Sequence, residues 1–116
     1  MIYLYGIPNC DTVKKARAWL TEHSAAYQFH DFKKLGVPEA DIDTWLQAVG
    51  WETLINRKGT AWRGLDESAK ALVVDAASAR AVAMANPSVI KRPVLLWPNG
   101  DITVGFAPER FEARLP

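Results

Sequence analysis

Apolar and polar positions along this chain switch between a two-residue and a helical period, and each switch marks an element. Ile2-Tyr3-Leu4-Tyr5 is a short apolar run closed by Gly6 and reads as a strand. From Cys10 or Asp11 to about His23 the period is helical. Val13, Ala16 and Leu20 recur at three- and four-residue spacing, while Lys14, Lys15 and Arg17 fall largely off that face. Tyr27 to Asp31 alternates again, with Tyr27 and Phe29 on one side and Gln28 and His30 on the other. Two strands joined by one helix are expected to run parallel with a right-handed crossover.

The middle of the chain is helical. Pro38 suits a first helical turn, Ile42, Trp45, Leu46 and Val49 form an apolar stripe, and Gly50 stops the helix. Trp51 to Asn56 predicts a short helical segment, and the glycine-punctuated run from Arg57 to Gly64 reads as a loop. Two further helices are expected over about 67–73 and 76–85, before Asn86-Pro87. Val94 to Trp97 then predicts a strand, Asn99-Gly100 a hairpin turn, and Ile102 to Val104 its partner. Gly105 marks a bulge or a bend, and 108–115 closes the chain as a helix with Phe111 and Leu115 on its apolar side. The order β-α-β, helices, β-β-α predicts a mixed four-stranded sheet covered by helices.

Composition narrows the class. The 116 residues carry a net charge of +1 and are 49% hydrophobic, as expected of one domain with its own core. One cysteine allows no internal disulfide, which fits a reducing, cytoplasmic setting. No leader pattern and no apolar run near the ~20 residues of a membrane span is visible. Near-neutral charge leaves no footprint for direct nucleic-acid binding. One cysteine and two widely spaced histidines form no recognisable metal ligand set, and no tightly bound cofactor is expected.

The candidate chemistry centres on Cys10, at the junction of the first strand and first helix. Helix amides and nearby cations favour the thiolate, which is the reactive form. Thr12 offers a hydroxyl or backbone amide to the sulfur, and Lys14 a cation that reaches back toward it. Asp11 opposes the charge but can cap the helix. Arg92, on a turn between Asn86-Pro87 and Pro93, offers a planar fork for an anionic group. Arg57 and Arg63 flank a loop, and Trp62 within it is expected to line a ligand groove. His30 reads as a half-buried structural histidine, His23 as a partner of the helix C-terminus, and Trp19, Trp45 and Trp97 as core. Position 13, where a Cys-x-x-Cys motif would carry its second thiol, is valine. An external thiol must therefore resolve any adduct on Cys10, and glutathione is the expected co-substrate.

The strand order is that of a thioredoxin-like fold. Tyr5-Gly6-Ile7-Pro8-Asn9-Cys10-Asp11-Thr12-Val13-Lys14-Lys15-Ala16 resembles the cysteine loop of the arsenate-reductase-like family, and Asn86-Pro87-Ser88-Val89-Ile90-Lys91-Arg92-Pro93-Val94-Leu95 resembles its arginine-proline motif. The wording is most similar to the YffB-like branch. The resemblance spans nearly the whole chain and implies a single thioredoxin-like domain over 1–116 with a helical insertion at about 38–90. It implies Cys10 as nucleophile, Arg92 as the oxyanion-binding arginine, Pro93 as the cis-proline facing the cysteine loop, and Arg57 as a second active-site arginine. A third arginine, after the last strand in arsenate reductases, is not matched, since that stretch reads Val104-Gly105-Phe106-Ala107-Pro108 and Arg110 comes late. The leading expectation is a glutathione-dependent thiol oxidoreductase acting on a disulfide or small oxyanion. Two alternatives stay open: arsenate reduction with glutathione and glutaredoxin, and an Spx-like regulatory module that docks on RNA polymerase.

Overall fold

The computed structural model describes residues 1–115. In chain order the elements are β1 (Ile2–Gly6), α1 (Asp11–Glu22), β2 (Tyr27–Asp31), α2 (Phe32–Leu35), α3 (Glu39–Val49), α4 (Trp51–Leu54), α5 (Thr60–Arg63), α6 (Glu67–Ala71), α7 (Ala76–Ala85), β3 (Val94–Leu96), β4 (Ile102–Val104) and α8 (Pro108–Glu112). The chain divides into two compact units, one of Met1–Lys34 with Arg92–Pro116 and one of Leu35–Lys91.

The first unit is built on a four-stranded mixed sheet of order β2-β1-β3-β4. β1 pairs parallel with β2 and antiparallel with β3, and β3 pairs antiparallel with β4. The predicted mixed sheet with its helices is therefore the observed one. Alternation along β1 sends Ile2 and Leu4 into a core shared with Val13, Ala16 and Leu20 of α1, with Leu95 and Trp97, and with Phe111 of α8. Phe111 organises the aromatic part of that core. It meets the rings of Trp19, Trp97 and Phe106 edge-on at centroid distances of 5.5, 5.0 and 4.9 Å. Arg17 ties α1 to β2 by donating to the Tyr27 hydroxyl at 2.9 Å, with its guanidinium carbon 4.1 Å from the centre of the Phe29 ring. At the β3–β4 hairpin the Trp97 amide donates to the Asp101 carbonyl, and Gly100 takes φ +92°, which its missing Cβ permits.

The second unit is helical. Ile42 and Trp45 of α3 are buried, as are Ala79 and Ala83 of α7, and α7 packs on both α3 and α4. Arg80 of α7 also pairs with Asp43 of α3 at 2.7 Å. The Asp75 carboxylate accepts from the Ser78 amide, and Ser78 returns a bond to the Asp75 amide, a capping box at the start of α7. An isolated bridge pairs Ile55 with Ile90, flanked by bonds from Asn56 N to Val89 O and from Lys91 N to Leu54 O, both 2.8 Å.

Several local expectations change. Pro38 precedes α3 as its N-cap residue at ψ 120° instead of sitting inside the first turn. The stretch read as a loop from Arg57 to Gly64 contains α5, one helical turn entered from Gly59, because the Gly64 amide reaches the Thr60 carbonyl. α6 and α8 are shorter than the periodicity implied, and a 3-10 turn at Pro87–Val89 follows α7.

Candidate active site

β1 ends at Gly6, and the chain takes a four-residue loop to Cys10 before α1 begins. A Cβ on Gly6 would stand 2.8 Å from Cγ2 of Val13, so the end of β1 and the first turn of α1 approach as closely as a glycine allows. Cys10 is the N-cap residue, extended at φ −141°, ψ 123°, and its carbonyl accepts the first helical bond from Lys14 N at 2.9 Å. Its side chain makes no capping hydrogen bond. The amides of the first turn, which no helical carbonyl satisfies, therefore open toward this end of α1. The thiol is half-buried and packs against the core that contains Leu4 and Val13. Thr12 and Lys14 share the first turn with Asp11, all three exposed.

Strand direction brings the second motif to the same place. β3 runs antiparallel to β1 with Val94 opposite Tyr5, so Arg92 and Pro93, which enter β3, lie at the sheet end from which the Cys10 loop leaves. The Arg92-Pro93 peptide is cis. Pro93 is buried, and its carbonyl accepts from the Gly105 amide at 2.9 Å, which ties the motif to the exit of β4. Arg92 is half-buried, with its Nε shielded from solvent. β2 runs parallel to β1, so His30 and Asp31 reach this end too, opposite Tyr5 and Gly6. The His30 ring stands between Tyr5 and Phe32, at centroid distances of 5.2 and 6.0 Å. That placement fits the half-buried histidine expected from the strand pattern. His23 caps α1 as expected, with Nδ1 2.8 Å from the Trp19 carbonyl.

Arg57 belongs to the helical unit. Its guanidinium lies 5.4 Å from the centre of the Trp51 ring, and Nη2 is 3.5 Å from Oε2 of Glu52. It lines a cleft of about 290 Å³ with Lys58, Lys91, Glu52, Thr53 and Asn56. Sequence reasoning missed Lys91 and Glu52 as neighbours of Arg57. The signal was there only in part, since Lys91 adjoins the arginine-proline motif but nothing local shows that its strand-like pairing returns it to the end of α4. Trp62 is buried in α5, contrary to its expected role as a groove-lining loop residue, because the helical turn there points it inward. Arg110 lies on α8 with Nη2 3.4 Å from the Val104 carbonyl. A wider depression of about 360 Å³, lined by Met1, His23, Ser24 and Leu115 among others, lies at the opposite end of the sheet from Cys10. Among the described residues no cluster of three metal-binding side chains is assembled, and no helix is long and apolar enough to cross a membrane.

A thioredoxin-like sheet with a cysteine at the strand-to-helix turn and a cis-proline motif at the same sheet end defines a class of thiol-bearing α/β proteins. Within it, the model of the ArsC family matches residues 5–114, and the chain belongs to that family. A solved structure described as a YffB protein is 48% identical, covers 100% of both chains and superposes with a TM-score of 0.92. A solved arsenate reductase (ArsC) related protein from Brucella melitensis is 50% identical over 97% of this chain and 92% of its own, with a TM-score of 0.74. The global transcriptional regulator Spx of Streptococcus mutans is 27% identical over 100% of this chain and 84% of the regulator.

Proposed function

We propose that the chain is a glutathione-dependent monothiol oxidoreductase of the ArsC family with Cys10 as nucleophile. The observation that carries this reading is the meeting of two motifs at one sheet end: a cysteine before the free amides of α1 and an arginine-proline pair entering β3. The Cys10 thiolate attacks one sulfur of a glutathione mixed disulfide. The S–S bond breaks, the partner leaves as a thiolate and takes up a proton, and glutathione remains on Cys10. A second glutathione thiolate attacks that disulfide, which releases glutathione disulfide and restores Cys10. In sum one free glutathione is consumed: the mixed disulfide and glutathione become the partner's free thiol and glutathione disulfide, with no net change at Cys10. Arg92 steadies the negative charge on attacking and leaving sulfur, Thr12 and Lys14 face the same first turn, and Pro93 shapes the entry to β3. Arg57 takes an anionic group of the substrate or co-substrate. A setting in the reducing cytoplasm supplies the glutathione.

The test is turnover of a glutathione mixed disulfide with mass spectrometry of the trapped enzyme. Wild type is expected to carry one glutathione on Cys10 and to turn over, Cys10→Ser to do neither, and Arg92→Ala to slow both steps. Wild type that turns over no faster than Cys10→Ser would sink the reading.

Arsenate reduction would use the same cysteine and arginine, with glutaredoxin as partner. It finds less support here, since Arg110, the arginine nearest to the unmatched third position, is engaged with the Val104 carbonyl. The similarity to Spx, which spans this chain and 84% of the regulator, favours a second class of reading, a regulatory module that docks on RNA polymerase. Polymerase capture that survives Cys10→Ser would turn the assignment that way.

A further inference from the structure

We propose that the cleft on the helical unit is a carboxylate-binding site, in which Arg57, Lys58 and Lys91 receive a carboxylate of a small peptide-like co-substrate and Glu52 holds its place until it arrives. The inference deepens the glutathione reading by naming the residues that recognise the tripeptide's acidic groups, and it rests on that reading for the choice of ligand. Three cations and one carboxylate line the cleft, so its local charge is positive although the whole chain is close to neutral.

The cations are held from the backbone. Lys91 N bonds Leu54 O, Ile55 pairs with Ile90, and Asn56 N bonds Val89 O, so the two walls of the cleft are one short ladder. Arg57 turns away from that ladder with its amide on the Ile55 carbonyl at 3.1 Å, and its guanidinium lies against Trp51. A Cβ on Gly59 would stand 2.7 Å from Nδ2 of Asn56, so the next turn of chain closes directly over that amide side chain. The volume of about 290 Å³ suits part of a tripeptide and leaves its remainder outside.

Glu52 makes the prediction directional. Its contact with Arg57 is single and long, 3.5 Å, between side chains that are 48% and 67% exposed. Exposed pairs of this kind contribute little, so an incoming carboxylate that meets Arg57 in a two-pronged pair and Lys91 beside it replaces Glu52 at small cost. Removing the Glu52 charge should therefore strengthen ligand binding, while removing the Lys91 charge should weaken it.

The experiment is an amide-resolved NMR titration of the full chain with S-methylglutathione, which carries both carboxylates and no reactive thiol. Its diethyl ester, with both carboxylates blocked, and sodium arsenate at matched ionic strength are the comparison arms. Saturable shifts at Asn56, Arg57, Lys58 and Lys91 are expected with S-methylglutathione and not with the diester. Lys91→Ala should weaken binding and Glu52→Gln tighten it, each by about two- to fivefold, the range of an exposed charge pair. Equal binding of the diester, shifts confined to other residues, weaker binding in Glu52→Gln, or a response to arsenate alone would each overturn the proposal. The ligand cannot react with sulfur, so these outcomes are independent of Cys10. Glutathionylation of Cys10 with no response in the cleft would reject the cleft and leave the proposed function standing. Cleft binding with an inert Cys10 would do the reverse.

Discussion

Placing a methyl group on Gly6 should destabilise the protein through a single contact, and a second substitution should remove the effect. The backbone is no obstacle, since Gly6 is not among the glycines with positive φ. The obstacle is Val13, whose Cγ2 would lie 2.8 Å from the new Cβ. Carbon atoms settle at about 3.5–4.0 Å, so roughly 0.7 Å or more must be found. Val13 is fully buried, and a β-branched residue in a helix has one strongly preferred rotamer, so the side chain cannot turn aside and α1 must shift. Overpacking of this kind costs about 1–3 kcal/mol, against about 0.4–1 kcal/mol gained when alanine restricts the unfolded chain, for a net loss of about 1–2 kcal/mol in Gly6→Ala. In a Val13→Ala background both γ-carbons are gone and the nearest Val13 atom is Cβ at 3.8 Å, an ordinary contact. There the same substitution should be neutral or stabilising, a coupling of at least about 1 kcal/mol, within the span found for residues in contact. Urea unfolding of the four proteins measures it, provided the slope stays constant. Gly6→Ala as stable as wild type, or equally harmful in both backgrounds, would refute the reasoning. Because α1 begins one residue after Cys10, the alkylation rate of Cys10 should change in Gly6→Ala and recover in the double variant.

Two further outcomes follow from other contacts. The buried Trp97 indole donates to the Thr103 hydroxyl at 2.9 Å, so Thr103→Val, which keeps the shape and removes the acceptor, should cost about 1–3 kcal/mol in denaturant unfolding, with Thr103→Ser losing less; a Val variant as stable as wild type would show the bond to be dispensable. The Ser78 amide, and after it the Ser78 hydroxyl, holds the Asp75 carboxyl below its ordinary value of 3.8. A pKa lowered by folding means a contribution that is complete above the unfolded value and is lost as pH falls through the folded one. Wild type should thus exceed Asp75→Ala in stability by a constant margin near neutral pH, and the margin should shrink once the pH drops below the ordinary value of 3.8. A margin that widens in acid would contradict the capping role.

The parts of the fold that were legible in the sequence are those whose pattern is carried by many residues of one period. α1 announced itself through Val13, Ala16 and Leu20, and the strands through their alternation and the Asn99-Gly100 turn. Two of the four-residue helices, α2 and α5, were harder. α5 is a single turn inside a run of polar residues and glycines, and only tertiary burial of Trp62 distinguishes it from a loop. α2 carries no full period at all over Phe32–Leu35. The same holds at the candidate site. Cys10 and Arg92-Pro93 are far apart in sequence, yet strand direction alone puts them at one end of the sheet, because a parallel β1–β2 pair and an antiparallel β1–β3 pair fix which termini meet. The cleft around Arg57 has no such generator. Its members are joined by one isolated bridge, Ile55 with Ile90, which no local pattern encodes.

Val13 links the packing to the chemistry. It stands three residues after Cys10, where a dithiol enzyme would keep its resolving cysteine. Here that position has no solvent exposure and fills the space left by Gly6. Val13 packs against Gly6 where β1 and α1 approach, so the start of the helix carries one sulfur, on its half-buried N-cap residue, and an apolar group turned into the core. Any disulfide formed on Cys10 must then be opened by a thiol that diffuses in. Under the proposed function the resolving step is therefore first order in external thiol, and no oxidised form of the isolated chain contains an internal disulfide. A regulator that senses oxidation by closing such a bond would need the second sulfur that Val13 displaces. The residue that completes the core thus also separates the enzymatic reading from a dithiol switch.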